Sequence, residues 1–299
     1  MFEQRTENPC FLLSNQLKSS KGEGYMKHFT MNNGISIPAL GTGTNTYGKE
    51  NKDFFGDINF DTKELRSAIS LGYRLIDTAI YYRNEAVIGK AVKESNLDRT
   101  EFFIVSKIPE KPEYTMSDDV VRGSINQSLS LIDLDYINLY LMHFPLEHNE
   151  ENLRVWRVLE TYVDAGLIKS IGVSNFNIEQ LTFLLEHARI KPVLHQFQSY
   201  PGHHQQHLID FCKKHDIIPE AYHSIAKTSD AHKKILSEIG KTYNKSWSQV
   251  TLNYQISQGM VVIPKSHNPK NQQSNIDVFD FELSEKDIET IKHLKKEIQ

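Results

Sequence analysis

The chain of 299 residues contains little cysteine, carries little net charge and has no long hydrophobic run. Its two cysteines, Cys10 and Cys212, fit neither a disulfide framework nor the spacing of a metal site, which favours a reducing, cytoplasmic location. No stretch approaches the roughly 20 apolar residues of a membrane-spanning helix, and the N-terminus lacks the basic start and apolar core of a signal peptide. A net charge of −4 predicts neither a nucleic-acid partner nor a membrane partner.

Glycine patterns that bind phosphate are also missing. Gly41-Thr-Gly43 is followed only by Gly48, so the third glycine of the dinucleotide-binding pattern of open parallel sheets is misplaced. No Walker-type phosphate loop occurs either. We therefore interpret Gly41 and Gly43 as a tight turn at a strand end that brings backbone close to a ligand.

The chain divides into a short extension and one long region of uniform composition. Residues 1–25 are polar and mixed, and we expect them to be a disordered extension, whereas residues 26–299 are expected to form a single domain. Short apolar runs typical of buried parallel strands alternate there with amphipathic patterns typical of helices. The strand-like runs are residues 38–42, 73–77, 102–107, 136–143, 170–174, 192–196, 217–222 and 259–264. The helical patterns are residues 61–71, 118–131, 152–165, 178–187, 204–214, 246–258 and 284–295.

Eight strand-like runs alternating with helices predict an α/β fold, a closed (β/α)8 TIM barrel. An open doubly wound sheet is the main alternative, but its glycine pattern is absent. In such barrels, ligands bind at the C-terminal ends of the strands. Asp77, Lys107 and His143 end the second, third and fourth runs, and Tyr82 follows the second. These four side chains are therefore expected to meet at one rim.

Together these four residues fit the reduction of a carbonyl group. Reduction leaves negative charge on the carbonyl oxygen, and a general acid must supply a proton. A free tyrosine has a pKa near ~10, which is too high for easy transfer at neutral pH, but a nearby lysine lowers it. Histidine can donate a hydrogen bond to the carbonyl oxygen. We interpret Tyr82 as the acid, Lys107 as the group that tunes it, Asp77 as the anchor of the lysine and His143 as the orienting group.

Two other classes of function are weaker alternatives. His203 and His207 have the i, i+4 spacing of zinc ligands, but no third ligand is evident, so we interpret them as exposed helix residues and predict no metal site. A metal-dependent hydrolase barrel that uses Asp77 and His143 is one alternative. The other is a cofactor-binding regulatory or channel-associated barrel subunit with little turnover.

Longer motifs around these residues resemble the aldo-keto reductase family. The matching segments, in chain order, are Asp77-Thr-Ala-Ile-Tyr-Tyr82-Arg-Asn84-Glu85, Val105-Ser-Lys107, Leu141-Met-His143-Phe-Pro145, Ile171-Gly-Val-Ser174-Asn175-Phe176, Ile263-Pro-Lys265-Ser266 and Val278-Phe-Asp-Phe-Glu-Leu283. They follow one another in unbroken order from about residue 29 to residue 294. The resemblance implies an oxidoreductase that reduces an aldehyde or ketone to an alcohol with a nicotinamide dinucleotide.

The resemblance also implies particular binding residues and an N-terminal β-hairpin over residues 27–37 that closes the bottom of the barrel. Asn32-Asn-Gly34 is a hairpin signal in its own right. The residues implied to bind the cofactor are Gly41, Thr42, Asp77, Ser174, Asn175, Gln196, Tyr222, Lys265, Ser266 and Asn275. His143 and Phe144 are implied to contact a small carbonyl substrate.

Within this set, different residues are implied to bind different parts of NADPH. Ser174, Asn175 and Gln196 would bind the nicotinamide carboxamide, Tyr222 would stack on the nicotinamide ring, Lys265 and Ser266 would contact the 2′-phosphate, and Asn275 the adenine. Asn271 stands where the family usually has an arginine that contacts the 2′-phosphate or adenine. A neutral amide cannot replace that arginine, so NADH is an alternative to NADPH. Family members are commonly monomeric, which makes a monomer the expectation.

Overall fold

The computed structural model describes residues 26–295, and its strands form two sheets. An antiparallel hairpin pairs β1 (His28–Thr30) with β2 (Ser36–Pro38). The larger sheet has eight parallel strands in sequence order, which are β3 (Gly41–Gly43), β4 (Leu75–Asp77), β5 (Phe103–Ile108), β6 (Leu139–Met142), β7 (Ile171–Ser174), β8 (Leu194–Gln198), β9 (Ile218–Tyr222) and β10 (Val261–Val262). A parallel bridge between Leu40 and Val262 joins the two edges of this sheet. The prediction of a (β/α)8 barrel with an N-terminal hairpin is confirmed.

Helices surround the barrel. They are α1 (Lys63–Ser70), α2 (Glu85–Glu94), α3 (Pro112–Thr115), α4 (Asp118–Ile132), α5 (Asn149–Asp164), α6 (Ile178–His187), α7 (Gln206–Lys214), α8 (Asp230–Tyr243), α9 (Trp247–Ser257), α10 (Pro269–Ile276) and α11 (Glu285–Lys292). The seven predicted helical patterns correspond to α1, α4, α5, α6, α7, α9 and α11. Within residues 26–295, no helix is both long and apolar enough to cross a membrane. The predicted extension of residues 1–25 lies outside the described residues, so the division into domains stays a prediction.

Three longer helices, α2, α8 and α10, are absent from the sequence prediction. The apolar residues of α2 recur at helical spacing, so its sequence does contain a usable signal. Leu236, Ile239 and Tyr243 of α8 also recur at helical spacing, whereas α10 buries two polar side chains, Gln272 and Asn275. Periodicity detects apolar stripes, and it therefore has little to detect in α10.

The hairpin lies across the N-terminal ends of the barrel strands. Gly34 takes the left-handed conformation, with φ of +82°, that its tight turn requires. Asn32 Nδ2 donates a hydrogen bond to the Pro192 carbonyl oxygen at 3.0 Å, and Asn33 Nδ2 donates one to Ser170 Oγ at 2.9 Å. Pro192 and Ser170 lie just before β8 and β7, so these bonds fix the hairpin over the bottom of the barrel.

Side chains on each strand alternate between the barrel interior and the surrounding helices, because successive strand residues point to opposite faces. One buried cluster lines the lower interior and includes Leu75, Val105, Leu141, Leu194 and Ile218. Strand residues of the opposite parity, such as Ile76, Ile104 and Tyr140, pack with the helices instead. Residues two positions after the interior cluster members also face inward, at the upper end of the barrel. These residues are Asp77, Lys107, His143, Gln196 and Glu220.

The interpretation of Gly41 and Gly43 as a tight turn is wrong. Both lie inside strand β3, and neither has a positive φ. A Cβ added at Gly41 would lie 2.4 Å from Leu75 Cγ on the neighbouring strand, so close strand packing requires this glycine. Thr42 between them is buried, and its hydroxyl donates a hydrogen bond to the Gly43 carbonyl oxygen at 3.2 Å.

Two helix glycines give a matched test of packing between α2 and α4. A Cβ at Gly89 would lie 1.9 Å from the Ile132 carbonyl oxygen, whereas a Cβ at Gly123 would have no atom within 4 Å. We expect Gly89→Ala to reduce the free energy of unfolding by about 1–3 kcal/mol, because the two helices must separate. Gly123→Ala is expected to increase it by about 0.5–1 kcal/mol, because alanine favours helix. Urea unfolding of both variants measures this difference, and equal effects would contradict it.

Candidate active site

A buried ion pair lies at the C-terminal ends of β4 and β5. Lys107 Nζ is 2.6 Å from Asp77 Oδ1 and also donates a hydrogen bond to the Thr78 carbonyl oxygen at 2.9 Å. The side chains of Lys107 and Asp77 are 0% and 2% exposed. Burial lowers the pKa of the Lys107 ammonium, but Asp77 and Tyr82 raise it, and the result lies above its ordinary value. Lys107 is therefore a charged lysine inside the barrel at neutral pH.

The Tyr82 ring lies beside this lysine. Tyr82 ends a short 3-10 helix, Ile80–Tyr82, that follows β4, and Lys107 Nζ is 5.1 Å from the centre of its ring. Burial raises the pKa of the Tyr82 phenol, and the Lys107 charge opposes this effect. The lysine acts in the expected direction, but burial outweighs it, so the pKa of Tyr82 is raised and not lowered as the sequence predicts. Tyr82 is thus a protonated phenol at neutral pH, with a cation at its side.

His143 forms the other wall of the site. The ring centres of Tyr82 and His143 are 5.7 Å apart, and the Phe144 ring stacks on His143 at 5.0 Å. Burial and the nearby Lys107 charge hold the pKa of His143 well below its usual range, so its ring is neutral. His143 Nδ1 is buried and has no hydrogen-bond partner among residues 26–295. A neutral imidazole offers one donor and one acceptor nitrogen to a ligand.

A segment for which the sequence predicts no helix or strand also reaches the site. Residues 49–60, which we call the flap, connect β3 to α1 and fold back through an antiparallel bridge between Lys49 and Ile58. Phe54 on the flap contacts Tyr82 edge to face, with ring centres 6.1 Å apart. Its carbonyl oxygen accepts hydrogen bonds from Lys49 Nζ at 2.6 Å and Arg83 Nη2 at 3.1 Å. The residue directly after Tyr82 therefore holds the flap over the phenol.

Asn175 contacts two other residues that are implied to bind the cofactor, Ser174 and Tyr222. Its backbone is left-handed, with φ of +62°, and its Nδ2 donates to the His143 carbonyl oxygen at 3.0 Å and to Ser174 Oγ at 2.9 Å. Its Oδ1 accepts a hydrogen bond from the Tyr222 hydroxyl at 2.9 Å. Both amide hydrogens of Asn175 are therefore used, while its oxygen and the Ser174 hydroxyl hydrogen are still able to bind a ligand.

Gln196 has a comparable arrangement. Its Nε2 donates to Asp77 Oδ2 and to Glu220 Oε2, both at 3.0 Å. With both hydrogens directed at carboxylates, the amide oxygen is the group that Gln196 can offer to a ligand. The orientation of the amide is determined by Asp77, because the opposite orientation would place the amide oxygen against the Asp77 carboxylate.

The residues implied to contact the phosphate lie beside β3 and β10. Lys265 Nζ donates hydrogen bonds to Asn45 Oδ1 at 2.8 Å and to Thr46 Oγ1 at 2.7 Å. Both acceptors are neutral, and burial lowers the pKa of Lys265. Ser266 follows Lys265, and its Oγ accepts a hydrogen bond from the Asn268 N–H at 3.1 Å. Lys265 is therefore held by the loop after β3 rather than by a carboxylate.

The first turn of α10 contains the departure from the family pattern. Lys270 and Asn271 are exposed there, and Asn275 is buried one turn later, with an exposure of 3%. The Asn271 side chain adds no charge to this surface. A phosphate bound near Lys265 and Ser266 would thus have one exposed cation beside it, Lys270, and no guanidinium at position 271.

Three other histidines lie in surroundings that differ from those of His143. His195 precedes Gln196 on β8 and so faces the helices, where its Nδ1 lies 3.6 Å from Cys212 Sγ. His203 and His207 line a cavity of about 610 Å³ that also includes Asn175 and Tyr222. In the part of the chain that the structure describes, no group of three histidine, cysteine, aspartate or glutamate side chains could hold a metal ion.

Two buried residues at the site were missed as candidates. Asn84 accepts a hydrogen bond from Thr78 and donates to the carbonyl oxygens of Thr44 and Tyr47, so it ties the loop after β3 to the loop that carries Tyr82. Glu220 is fully buried beside Gln196. For Glu220, the available signal was a carboxylate inside an otherwise apolar strand run, at a position of β9 whose side chain faces the barrel interior.

Comparison with known proteins agrees with these motifs. The model of the aldo/keto reductase family matches residues 39–296. The chain is 36% identical over 267 residues to glyoxal reductase of Bacillus subtilis, which covers 89% of this chain and 92% of that protein. Its structure is similar to that of an aldo/keto reductase from Brucella melitensis, with a TM-score of 0.82, 31% identity and coverage of 90% of this chain and 100% of the other.

A second structural neighbour is an aldo-keto reductase of the silkworm, Bombyx mori, solved in complex with NADPH. The TM-score is 0.82 at 32% identity, and the match covers 92% of this chain and 89% of the silkworm enzyme. The chain therefore belongs to the aldo/keto reductase family, as its motifs predicted, and is an oxidoreductase that reduces aldehydes or ketones with a nicotinamide cofactor.

Proposed function

We propose that the protein uses NADPH to reduce a small carbonyl compound, with Tyr82 as the general acid. The observation that carries this proposal is the buried Lys107 ammonium, 5.1 Å from the centre of the Tyr82 ring and paired with Asp77. His143 and Phe144 are proposed to contact the substrate. A cytoplasmic location and a monomeric state are further proposals that rest on the sequence.

The groups around β7 and β8 fit the nicotinamide carboxamide. A carboxamide has two N–H donors and one carbonyl acceptor. Asn175 and Gln196 have their own amide hydrogens committed and can offer acceptor oxygens, while the Ser174 hydroxyl can donate. Tyr222 is partly exposed and presents an aromatic ring next to Asn175, where a planar ring could stack. These residues would therefore hold the carboxamide and orient the ring.

Four residues provide the proton and stabilise its loss, namely Tyr82, Lys107, Asp77 and His143. A bound reduced nicotinamide supplies the hydride that is added to the carbonyl carbon. The neutral His143 ring can donate a hydrogen bond to the carbonyl oxygen and orient it. Tyr82, protonated at neutral pH, donates its proton to that oxygen, and the Lys107 charge stabilises the phenolate that remains. Asp77 keeps Lys107 in position and offsets its charge.

Removal of the Tyr82 hydroxyl tests this assignment. Tyr82→Phe is expected to lower kcat at least ~100-fold, because proton donation by a positioned side chain contributes about that much. The dissociation constant for NADPH should change little, since the ring is retained. Steady-state kinetics with a panel of aldehydes and fluorescence titration of NADPH measure both quantities.

Tyr81→Phe is the matched control for this experiment. It removes the neighbouring phenol, which donates a hydrogen bond to Glu110 at 2.9 Å, and should keep kcat within a few-fold of wild type. If Tyr82→Phe turns over at the wild-type rate, Tyr82 is not the acid. If the wild-type protein binds NADPH but does not oxidise it when any aldehyde or ketone of the panel is added, a regulatory function of the barrel replaces the proposed one.

For the cofactor, we propose that the protein prefers NADPH only weakly over NADH. Lys265 is held by two neutral oxygens, and position 271 carries no charge. Recognition of a 2′-phosphate gains most from a guanidinium, which binds phosphate in a bidentate manner. Lys265, Lys270 and the Ser266 hydroxyl then supply the contacts by which the protein distinguishes NADPH from NADH.

Asn271→Arg is expected to lower the dissociation constant for NADPH about tenfold, because a hydrogen bond to a charged group contributes roughly 1.5 kcal/mol or more. The constant for NADH should stay within about twofold, since NADH lacks the 2′-phosphate. Gln273→Arg adds the same charge on the opposite face of α10 and serves as control. Titration by fluorescence quenching measures all four values. An equal effect of Asn271→Arg on both cofactors would show that position 271 does not contact the phosphate.

A further inference from the structure

A second carboxylate lies inside the barrel beside the proposed proton donor. Glu220 on β9 pairs in register with Gln196 on β8 and with Val261 on β10. Its side chain is fully buried, with an exposure of 0%. Its Oε2 accepts a hydrogen bond from Gln196, whereas its Oε1 is buried without a partner in the region from residue 26 to residue 295. A buried carboxylate oxygen without a hydrogen-bond donor destabilises the folded protein, and packing alone does not explain why such a group is there.

Glu220 is linked to Tyr82 through a short series of contacts. The Gln196 amide bridges Glu220 Oε2 and Asp77 Oδ2 at 3.0 Å on each side. Asp77 in turn holds Lys107, which lies beside the Tyr82 ring. A change in the charge or side chain of Glu220 therefore affects Lys107 through the Gln196 amide and the Asp77 carboxylate.

The charges inside the barrel do not balance when every group is ionised. At this level the charged or titratable side chains are Asp77 on β4, Lys107 on β5, His143 after β6, Glu220 and Tyr222 on β9, and Tyr82 after β4. His143 and the two phenols are neutral at neutral pH, which leaves one ammonium and two carboxylates. The cost of a second buried anion is several kcal/mol in a low-dielectric interior, so one carboxyl group must retain a proton over part of the neutral range.

We propose that Glu220 is a positioning residue that acts on the proposed acid Tyr82 through Gln196, Asp77 and Lys107. Its carboxyl group helps to fix the orientation of the Gln196 amide, so that the amide oxygen faces the cofactor. Its ionisation adds a second negative charge next to Lys107 and weakens the support that Lys107 gives to a phenolate at Tyr82. The inference rests on the proposed function of that site and adds a residue to it.

The direction of the pH dependence follows from the burial of Glu220. Burial, followed by the charge of Asp77, raises the pKa of Glu220 to about 8. Below that pH Glu220 is protonated, and Asp77 is the single counter-ion of Lys107. Above it Glu220 is ionised, the phenolate of Tyr82 is disfavoured, and proton donation slows. We therefore expect kcat to fall as the pH rises through about 8.

The same titration affects stability in a defined direction. Because the pKa of Glu220 is raised in the folded protein, the folded state holds a proton that the unfolded chain releases at lower pH. Stability is therefore lost as the pH rises from the ordinary glutamate pKa through about 8. This consequence does not depend on catalysis, so it can be measured without a substrate.

The test compares Glu220→Gln and Glu220→Ala with the wild-type protein. Glutamine keeps an acceptor for Gln196 and cannot ionise, so the alkaline decline of kcat should move up by at least about one pH unit. Its Tm should exceed that of wild type by an amount that grows between pH 6 and pH 9. Alanine removes the partner of Gln196 and should weaken NADPH binding at least fivefold, whereas glutamine should restore most of that binding.

Glu160→Gln is the matched control, because it removes a buried carboxylate of α5 that accepts a hydrogen bond from the Ile190 N–H at 2.8 Å, outside the barrel interior. It should leave the pH profile of kcat unchanged. If Glu220→Gln keeps the wild-type alkaline decline, or if glutamine and alanine weaken NADPH binding equally, the proposal is wrong and Glu220 is only structural.

A wild-type measurement covers the case in which the variants fail to fold. Infrared difference spectra between pH 7 and pH 10 should contain the loss of a protonated carboxyl band, and its absence would overturn the proposal. The outcomes also separate the two proposals. A protein with the expected Tm and infrared changes but without carbonyl reduction would contradict the proposed function and leave the ionisation of Glu220 intact.

Discussion

The structure of the site depends on one interaction, the ion pair between Lys107 and Asp77 inside the barrel. Two opposite charges with almost no exposure are tolerated only when each has its partner and its remaining hydrogen bonds. The Thr78 carbonyl oxygen and the Gln196 amide supply those bonds. Strands β4, β5 and β8 therefore meet at this point, and Tyr82 and His143 lie beside it.

It could be predicted that these residues lie close together, because the sequence indicates where each strand ends and which of its residues share a face. Asp77, Lys107 and His143 each end an apolar run, and parallel strands bring such ends to one rim. The alternation of side chains along a strand also distinguishes neighbouring residues. Gln196 faces inward and His195 faces Cys212 among the helices, because adjacent strand residues point to opposite sides.

Other parts of the site could not be read from periodicity, because they are formed by polar contacts between distant segments. The flap carries no strong apolar pattern, yet Lys49 and Arg83 fix Phe54 against Tyr82 through its carbonyl oxygen. Asn84 satisfies backbone oxygens of a loop about 40 residues earlier. Such bonds depend on geometry that exists only after the barrel has closed. The family resemblance indicates the residues of the site, but it does not indicate the hydrogen bonds between them.

Burial and charge have complementary effects on the tyrosine. A general acid must be protonated before the reaction, and its conjugate base must be stabilised after it. For Tyr82, the acid that we propose, burial raises the pKa and meets the first need, while Lys107 favours the phenolate and meets the second. An exposed tyrosine beside the same lysine would gain less from it, since water screens the charge. Because the ion pair is hardly exposed, water screens the Lys107 charge little in the proposed proton transfer, and a charge on the buried Glu220 would also be screened little.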